Sequence, residues 1–148
     1  MDEELVAFRG SDQEPEREEN SRSFVHDLLL FEYAGTRYGL PAECVDSVVQ
    51  WRTPVVIPGA DARVRGVIQD RGRIVVVLAH PTGRGDGRGH EDGQRIIICT
   101  TPRGHIGIPA STASTVGQVE TATTIAEFAL HESSEGSFVY LNPLRHAQ

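Results

Sequence analysis

Short apolar runs, separated by polar or glycine- and proline-containing breaks, fill the chain from Val25 to Leu144. VHDLLLFEYAG alternates loosely, and Leu28–Tyr33 within it predicts a strand. TRYGLPA, Thr36–Ala42, follows the two-residue break Ala34-Gly35, so the pair predicts a hairpin. CVDSVVQW, Cys44–Trp51, has apolar residues at 44, 45, 48, 49 and 51. That fits a strand with a bulge or a short helical turn, and periodicity alone does not choose between them. TPVVIPGADARV is punctuated by Pro54, Pro58 and Gly59 and predicts a loop with a short extended piece. Val64–Ile68 and Ile74–Leu78 predict two strands around the polar tip QDRGR. A Gly-rich segment follows, then a hairpin of Arg95–Thr101 and His105–Ala110 around Pro102-Arg103-Gly104, and a last strand in Ser137–Leu144. ATTIAEFAL, Ala122–Leu130, is the one helix candidate, and it is short.

Roughly eight short strands, with turn signals about every ten residues, predict an all-β protein of small antiparallel barrels or a sandwich. Two hairpins echo each other: Arg37-Tyr38-Gly39-Leu40 and His105-Ile106-Gly107-Ile108 each read basic-or-His, large apolar, Gly, apolar. The echo suggests two similar lobes. Their expected extents are 24–80 and 94–148, intertwined and joined by the Gly-rich loop 81–93, within one domain of residues 24–148. Residues 1–23, rich in Glu, Ser and Arg, read as a disordered arm in which Leu5–Phe8 is the only apolar patch.

Charge changes the picture by exclusion. The net charge is −7, and every one of the 14 basic residues is Arg. Most of the negative excess lies in the arm, so the body is close to neutral and lacks the cation surplus that general nucleic-acid binding needs. The N-terminus is acidic and no apolar run approaches the roughly 20 residues of a membrane span. A cytoplasmic protein without direct membrane insertion is the expectation. Cys44 and Cys99 sit in apolar runs with no second ligand at metal spacing, so they read as small buried hydrophobes.

YGLPAECVDSV, GVIQDRGRIVVVL, IIICTTPRGHIGI and SFVYLNP together resemble the CheW family of chemotaxis coupling proteins, over about residues 27–146. GVIQDRGRIVVVL is similar to that family's most distinctive segment, GVxNLRGxxxPVxDL, and YGLPAECVDSV to YALPxxxVxEV. The resemblance implies two interlocked five-stranded SH3-like barrels, no enzymatic activity and no cofactor. It also implies a scaffold linking the cytoplasmic tip of a methyl-accepting chemoreceptor to a histidine kinase regulatory domain or to another CheW-like protein. The family's turn arginine corresponds to Arg71, beside the groove used for partners, and Gly72 lets that turn take a positive φ. An Arg there can fork onto carbonyls or carboxylates of a partner or tie two loops of its own barrel. Val45, Val48 and Ile74 are the expected apolar lining of the receptor-facing groove.

The departures from the pattern sharpen the expectation. Gln69-Asp70 replaces Asn-Leu, Val76 the proline and Ala79 the aspartate that follows. Ser47 stands where the family has an acid, and Pro109–Ala113 replaces VVDxV. The connection to the last strand is short, and with Gln148 last no C-terminal helix is expected. The reading is a specialised adaptor, of the kind accessory to gliding-motility Frz-type pathways, that keeps the receptor contact. The kinase contact is the one its shortened second lobe puts in question.

Other chemistry weighs less. GRGDGRG leads into a strand rather than a helix, so it lacks the helix N-terminus a phosphate cradle uses, and it reads as a linker. His90-Glu91-Asp92 is a solvated loop or a weak metal site, with the loop favoured. A single-stranded nucleic-acid-binding barrel is the alternative function class. It would need exposed aromatics among basic residues.

Overall fold

The computed structural model describes residues 23–84 and 93–146. The arm up to residue 22, including Leu5–Phe8, and residues 85–92, including His90-Glu91-Asp92, lie outside the described residues. The elements are β1 (Phe24–Tyr33), β2 (Thr36–Pro41), a 3-10 turn (Ala42–Cys44), β3 (Val45–Gln50), β4 (Val64–Asp70) and β5 (Arg73–Leu78). They continue with β6 (Arg95–Thr101), β7 (Gly104–Ala110), β8 (Thr112–Ala113), β9 (Gly117–Thr121), β10 (Leu130–His131), β11 (Phe138–Tyr140) and a 3-10 turn (Pro143–His146).

The strands form two sheets, ordered β9-β1-β2-β11-β10, with β8 also on β1, and β3-β6-β7-β5-β4. Each sheet draws on both sides of the Gly-rich segment. The hairpin β1–β2 is completed by β8 to β11 from the second half of the chain. The hairpin β6–β7 is completed by β3, β4 and β5 from the first half. A cut at the Gly-rich loop, 24–80 against 94–148, therefore does not follow the sheets. The Ser111–Phe138 connection carries β8, β9 and β10, which join the sheet that holds the N-terminal hairpin.

The two echo glycines occupy equivalent places. Gly39 pairs with Tyr140 and Gly107 with Val77, each in the one parallel ladder of its sheet. Close approach explains glycine at both. A Cβ at Gly39 would stand 2.9 Å from Phe138 Cδ2, and one at Gly107 2.7 Å from Ile96 Cγ2.

Apolar side chains fall into three layers. Leu28, Leu30, Val119 and Phe138 fill one lobe, and Ile68, Val75, Val77, Ile96 and Ile98 fill the other. Between them lies the largest cluster, which includes Leu29, Phe31, Tyr33, Leu40, Ile97, Cys99, Ile108 and Leu141. β1 and β6 thus bury both faces, Leu28 and Leu30 to one side, Leu29 and Phe31 to the other. A strand buried on both faces reads as a continuous apolar run, which is why LLLF and IIIC show little alternation. Each fully buried Leu, Ile or Phe contributes about 1.5–3 kcal/mol from burial.

Both readings of Cys44–Trp51 are realised in succession: the 3-10 turn ends at Cys44, and β3 follows with a bulge between Val45 and Ser47. The helix expected over Ala122–Leu130 does not form. Nine residues are marginal for an isolated helix, and Phe128 takes φ +65° while donating its N–H to Tyr140 O at 2.7 Å. Among the described residues no helix is long and apolar enough to cross a membrane.

Candidate partner-binding site

The polar tip between β4 and β5 closes as a two-residue turn. Arg71 and Gly72 have φ of +50° and +80°, the positive pair that a hairpin of type I′ requires. Glycine adopts that geometry without strain, and Arg71 is held in it by its side chain. Arg71 Nη2 donates to Asp46 Oδ2 at 3.2 Å and to Ser47 Oγ at 3.1 Å, both on β3, and Arg71 Nε donates to Asp70 Oδ2 at 3.2 Å. Arg73 Nη2 donates to Asp46 Oδ2 at 2.8 Å, and its Nη1 meets His105 Nε2 at 3.1 Å. Arginine has no acceptor, so that imidazole nitrogen accepts. From the loop after β3, Arg52 donates to Asp70 Oδ1 at 3.1 Å and to Gln69 O at 3.0 Å.

Three guanidinium groups and two carboxylates thus tie β3 to the β4–β5 hairpin, leaving one unit of positive charge over. The hydrogen bond from Arg73 holds the Asp46 carboxyl below the usual carboxylate value, against a smaller opposing effect of burial. For Asp70 the hydrogen bond from Arg71 leads. Asp46 and Asp70 in turn raise the pKa of Arg73, with Asp46 foremost. These are solvated pairs, so they fix geometry more than they add stability. Arg71 remains 65% exposed in its side chain, and its guanidinium faces outward at the rim.

The bulge arranges the apolar part. Val45 pairs with Cys99 and Val48 with Ile97, so these two valines, three residues apart, face the side of the interlobe core. Ser47 and Val49 face the barrel interior, where Val49 packs against Ile96 and Ile98. Val45 is half-buried against the interlobe cluster, and Val48 stays 39% exposed at the sheet edge. Arg71 therefore bonds Asp46 and Ser47, the two residues that lie between Val45 and Val48 along β3. Ile74 is 59% exposed on β5, next to Arg73, whose guanidinium bonds Asp46 of β3. Of the four expected lining residues, Val45 and Val48 lie on β3, Arg71 is bonded to β3 from the turn, and Ile74 follows the turn on β5.

The sequence reading offered a tie from Arg71 to its own barrel as one role but missed the partners Asp46 and Asp70, and Arg73 beside them. It also missed that Cys44 Sγ lies 3.8 Å from Cys99 Sγ, because the pairing of β3 with β6 brings together residues far apart in the chain. Among the described residues, no group of three or more His, Cys, Asp or Glu is placed to hold a metal. Phe31, Tyr33, Tyr38 and Phe138 are core residues, at most 4% exposed, and offer no face on which a base could stack.

Residues 27–138 match the family model of the CheW-like domain. The chain belongs to that family. It is similar in fold to a solved structure, titled the crystal structure of scaffolding protein TtCheW from Thermoanaerobacter tengcongensis. The match has a TM-score of 0.60 at 22% identity and covers 79% of this chain and 88% of that one. None of the curated proteins compared matches the sequence. The two lobes described above are the two SH3-like lobes of a CheW-type fold. At the positions where the sequence departs from the family pattern, Ser47 and the preceding Asp46, which lies at the β3 bulge, both accept from Arg71. Asp70, in place of the family's leucine, supplies a second anchor.

Proposed function

We propose that this CheW-like protein is a non-enzymatic scaffold in a chemotaxis-type signalling pathway. It binds the helical cytoplasmic tip of a chemoreceptor along the β3 edge. Family membership supports the scaffold role. The single observation that carries the placement is that Arg71 is anchored to Asp46 and Ser47 on β3, the strand that also carries the exposed Val48. An arginine whose orientation is already fixed loses little freedom on meeting a carboxylate or helix carbonyls. Val45 and Val48 supply the central apolar contact, Gly72 supports the turn and Ile74 extends the surface past the tip. A few such anchors dominate binding, while rim charges set register and encounter rate.

A histidine kinase regulatory domain, or another CheW-like protein, is the second class of partner. If the connection from Pro109–Ala113 to the last strand is shorter than in relatives, as the sequence reading expects, the N-terminal lobe offers less surface there, and this contact is expected to be weaker than the receptor contact. Titrating the purified protein and an Arg71→Glu variant with a receptor-tip fragment, and separately with a kinase regulatory domain, tests both parts. Loss of receptor binding in the variant supports the reading. Receptor binding that survives the charge reversal removes the β3 edge as the site.

A further inference from the structure

A second concave surface opens where the start of β4 and the end of β5, at Val64 and Leu78, meet β7. It is a cleft between the lobes of about 550 Å³. Leu78, Ile106, Ile108, Phe128 and Leu141 line it, and three arginines, Arg63, Arg84 and Arg103, stand among its walls. The arginines differ in what occupies them. Arg63 is taken up by Asp61, through bonds of 2.7 and 3.0 Å from its guanidinium and 2.8 Å from its backbone N–H. Arg84 lies 4.0 Å over the Phe128 ring. The other wall carboxylate, Glu127, accepts from the Asn142 N–H at 3.1 Å. Arg103, exposed at the β6–β7 turn, has no carboxylate partner among the described residues. The site therefore offers an apolar floor with positive charge unspent at its rim.

We propose that this cleft is the seat of the chain's own Leu5–Phe8 segment, bound within the same molecule. Elimination within the chain points to it. Residues 85–92, next to Arg84, are Gly, Asp, Arg, His and Glu only, and bring no apolar side chain to an apolar floor. Residues 147–148 are Ala-Gln. Leu5-Val6-Ala7-Phe8 is the one apolar run outside the described residues, and Asp2, Glu3 and Glu4 precede it directly. Seating the four apolar side chains on the floor carries those three carboxylates to the arginine rim, where Arg103 awaits a partner.

Geometry allows the connection. β1 starts at Phe24, paired with Thr121, and the chain from Thr121 runs directly into Phe128 of the cleft wall. About 18 residues separate Leu5 from Ser23, and extended they reach roughly 60 Å. A tether of that length holds the segment at an effective concentration on the order of millimolar, so even a weak contact is populated. No residue of β3 or of the Arg71 turn lines the seat, so this inference stands apart from the receptor reading.

Photo-cross-linking of the full-length protein tests it, with Phe8 replaced by p-benzoylphenylalanine and products mapped by mass spectrometry. The expected result is cross-linking within one chain to peptides containing Phe128 or Ile106. Arg103→Glu should cut that yield roughly two- to fivefold, as loss of an exposed ion pair does, and Leu5→Asp should abolish it. Products joining two chains overturn the proposal. So do products spread over other surfaces, or a cleft yield that Leu5→Asp leaves unchanged. Both substitutions are at exposed or undescribed positions outside the three core clusters, so a melting curve matching the parent separates loss of docking from loss of fold.

Discussion

Asp46 Oδ2 accepts from Arg73 Nη2 at 2.8 Å, linking strands whose residues lie 27 apart in sequence. The same oxygen accepts from Arg71 at 3.2 Å. One carboxylate on β3 thus orients both arginines of the turn. Asp46→Ala is expected to lower the Tm less than any core truncation, because the pairs are solvated. It should weaken receptor-tip binding more than its effect on stability suggests, because Arg71 loses its anchor. Parallel melting and titration experiments check this.

The pH dependence has a definite sign. Hydrogen bonds from arginine hold Asp46 and Asp70 below their ordinary value of 3.8. A carboxylate depressed in the folded state stabilises fully above its unfolded pKa, and the contribution fades as pH falls through the folded value. The parent should therefore melt higher than Asp46→Asn at pH 6–7, with the gap closing below about pH 3.8. A gap that widens in acid contradicts the assignment. Asp61, held at about 2 by its bonds with Arg63, should titrate later than either in a carboxyl NMR titration.

Gly39 and Gly107 should both resist alanine. The added methyl would fall 2.9 Å from Phe138 in one lobe and 2.7 Å from Ile96 in the other. Overpacking of this kind costs about 1–3 kcal/mol. Urea unfolding of Gly39→Ala and Gly107→Ala should show losses in that range, with the larger at Gly107, where the contact is tighter and Val75 and Val77 also crowd the site.

Cys44 and Cys99 are both fully buried, and the neighbouring thiol, with burial second, raises the pKa of Cys99 well above its usual value. A protonated, enclosed thiol is a poor nucleophile. Neither cysteine should react with an aromatic disulfide reagent in the native protein, and both should react at once in denaturant. Rapid native labelling would mean that β3 opens readily from β6.

Val48→Asp and Ile74→Ser separate the two parts of the proposed surface. Both side chains are exposed, so neither change should move the Tm much. Val48 neighbours the strand residues that hold Arg71, and its loss should weaken receptor-tip binding about tenfold or more, the scale of a central anchor. Ile74, beyond the tip, should matter less. The reverse order in a titration would move the site from β3 to β5.

How much could be read in advance follows the range of each signal. The three hairpins were legible because their turns are local: Ala34-Gly35, Arg71-Gly72 and Pro102-Arg103-Gly104 announce themselves in adjacent residues. The strand exchange between halves was legible only through the family resemblance, which implied interlocked barrels, since no local pattern says which hairpin a later strand joins. Its trace was the glycine echo, whose meaning appears only when Gly39 and Gly107 are seen against their parallel partners. Arg71 was found through its GVIQDRGR setting. Its carboxylate anchor was overlooked because Asp46, on β3, becomes a neighbour only in the folded chain. The helix expected near Ala122 failed for a matching reason: a tertiary bond at Phe128 outweighed local preference.

The most direct test of the central claim is the affinity of a receptor cytoplasmic-tip fragment for the parent protein and for Arg71→Glu, measured by isothermal titration alongside melting curves. The account predicts a loss of tenfold or more in the variant, with the fold intact. Equal affinities would contradict it and place the receptor contact away from the β3 edge.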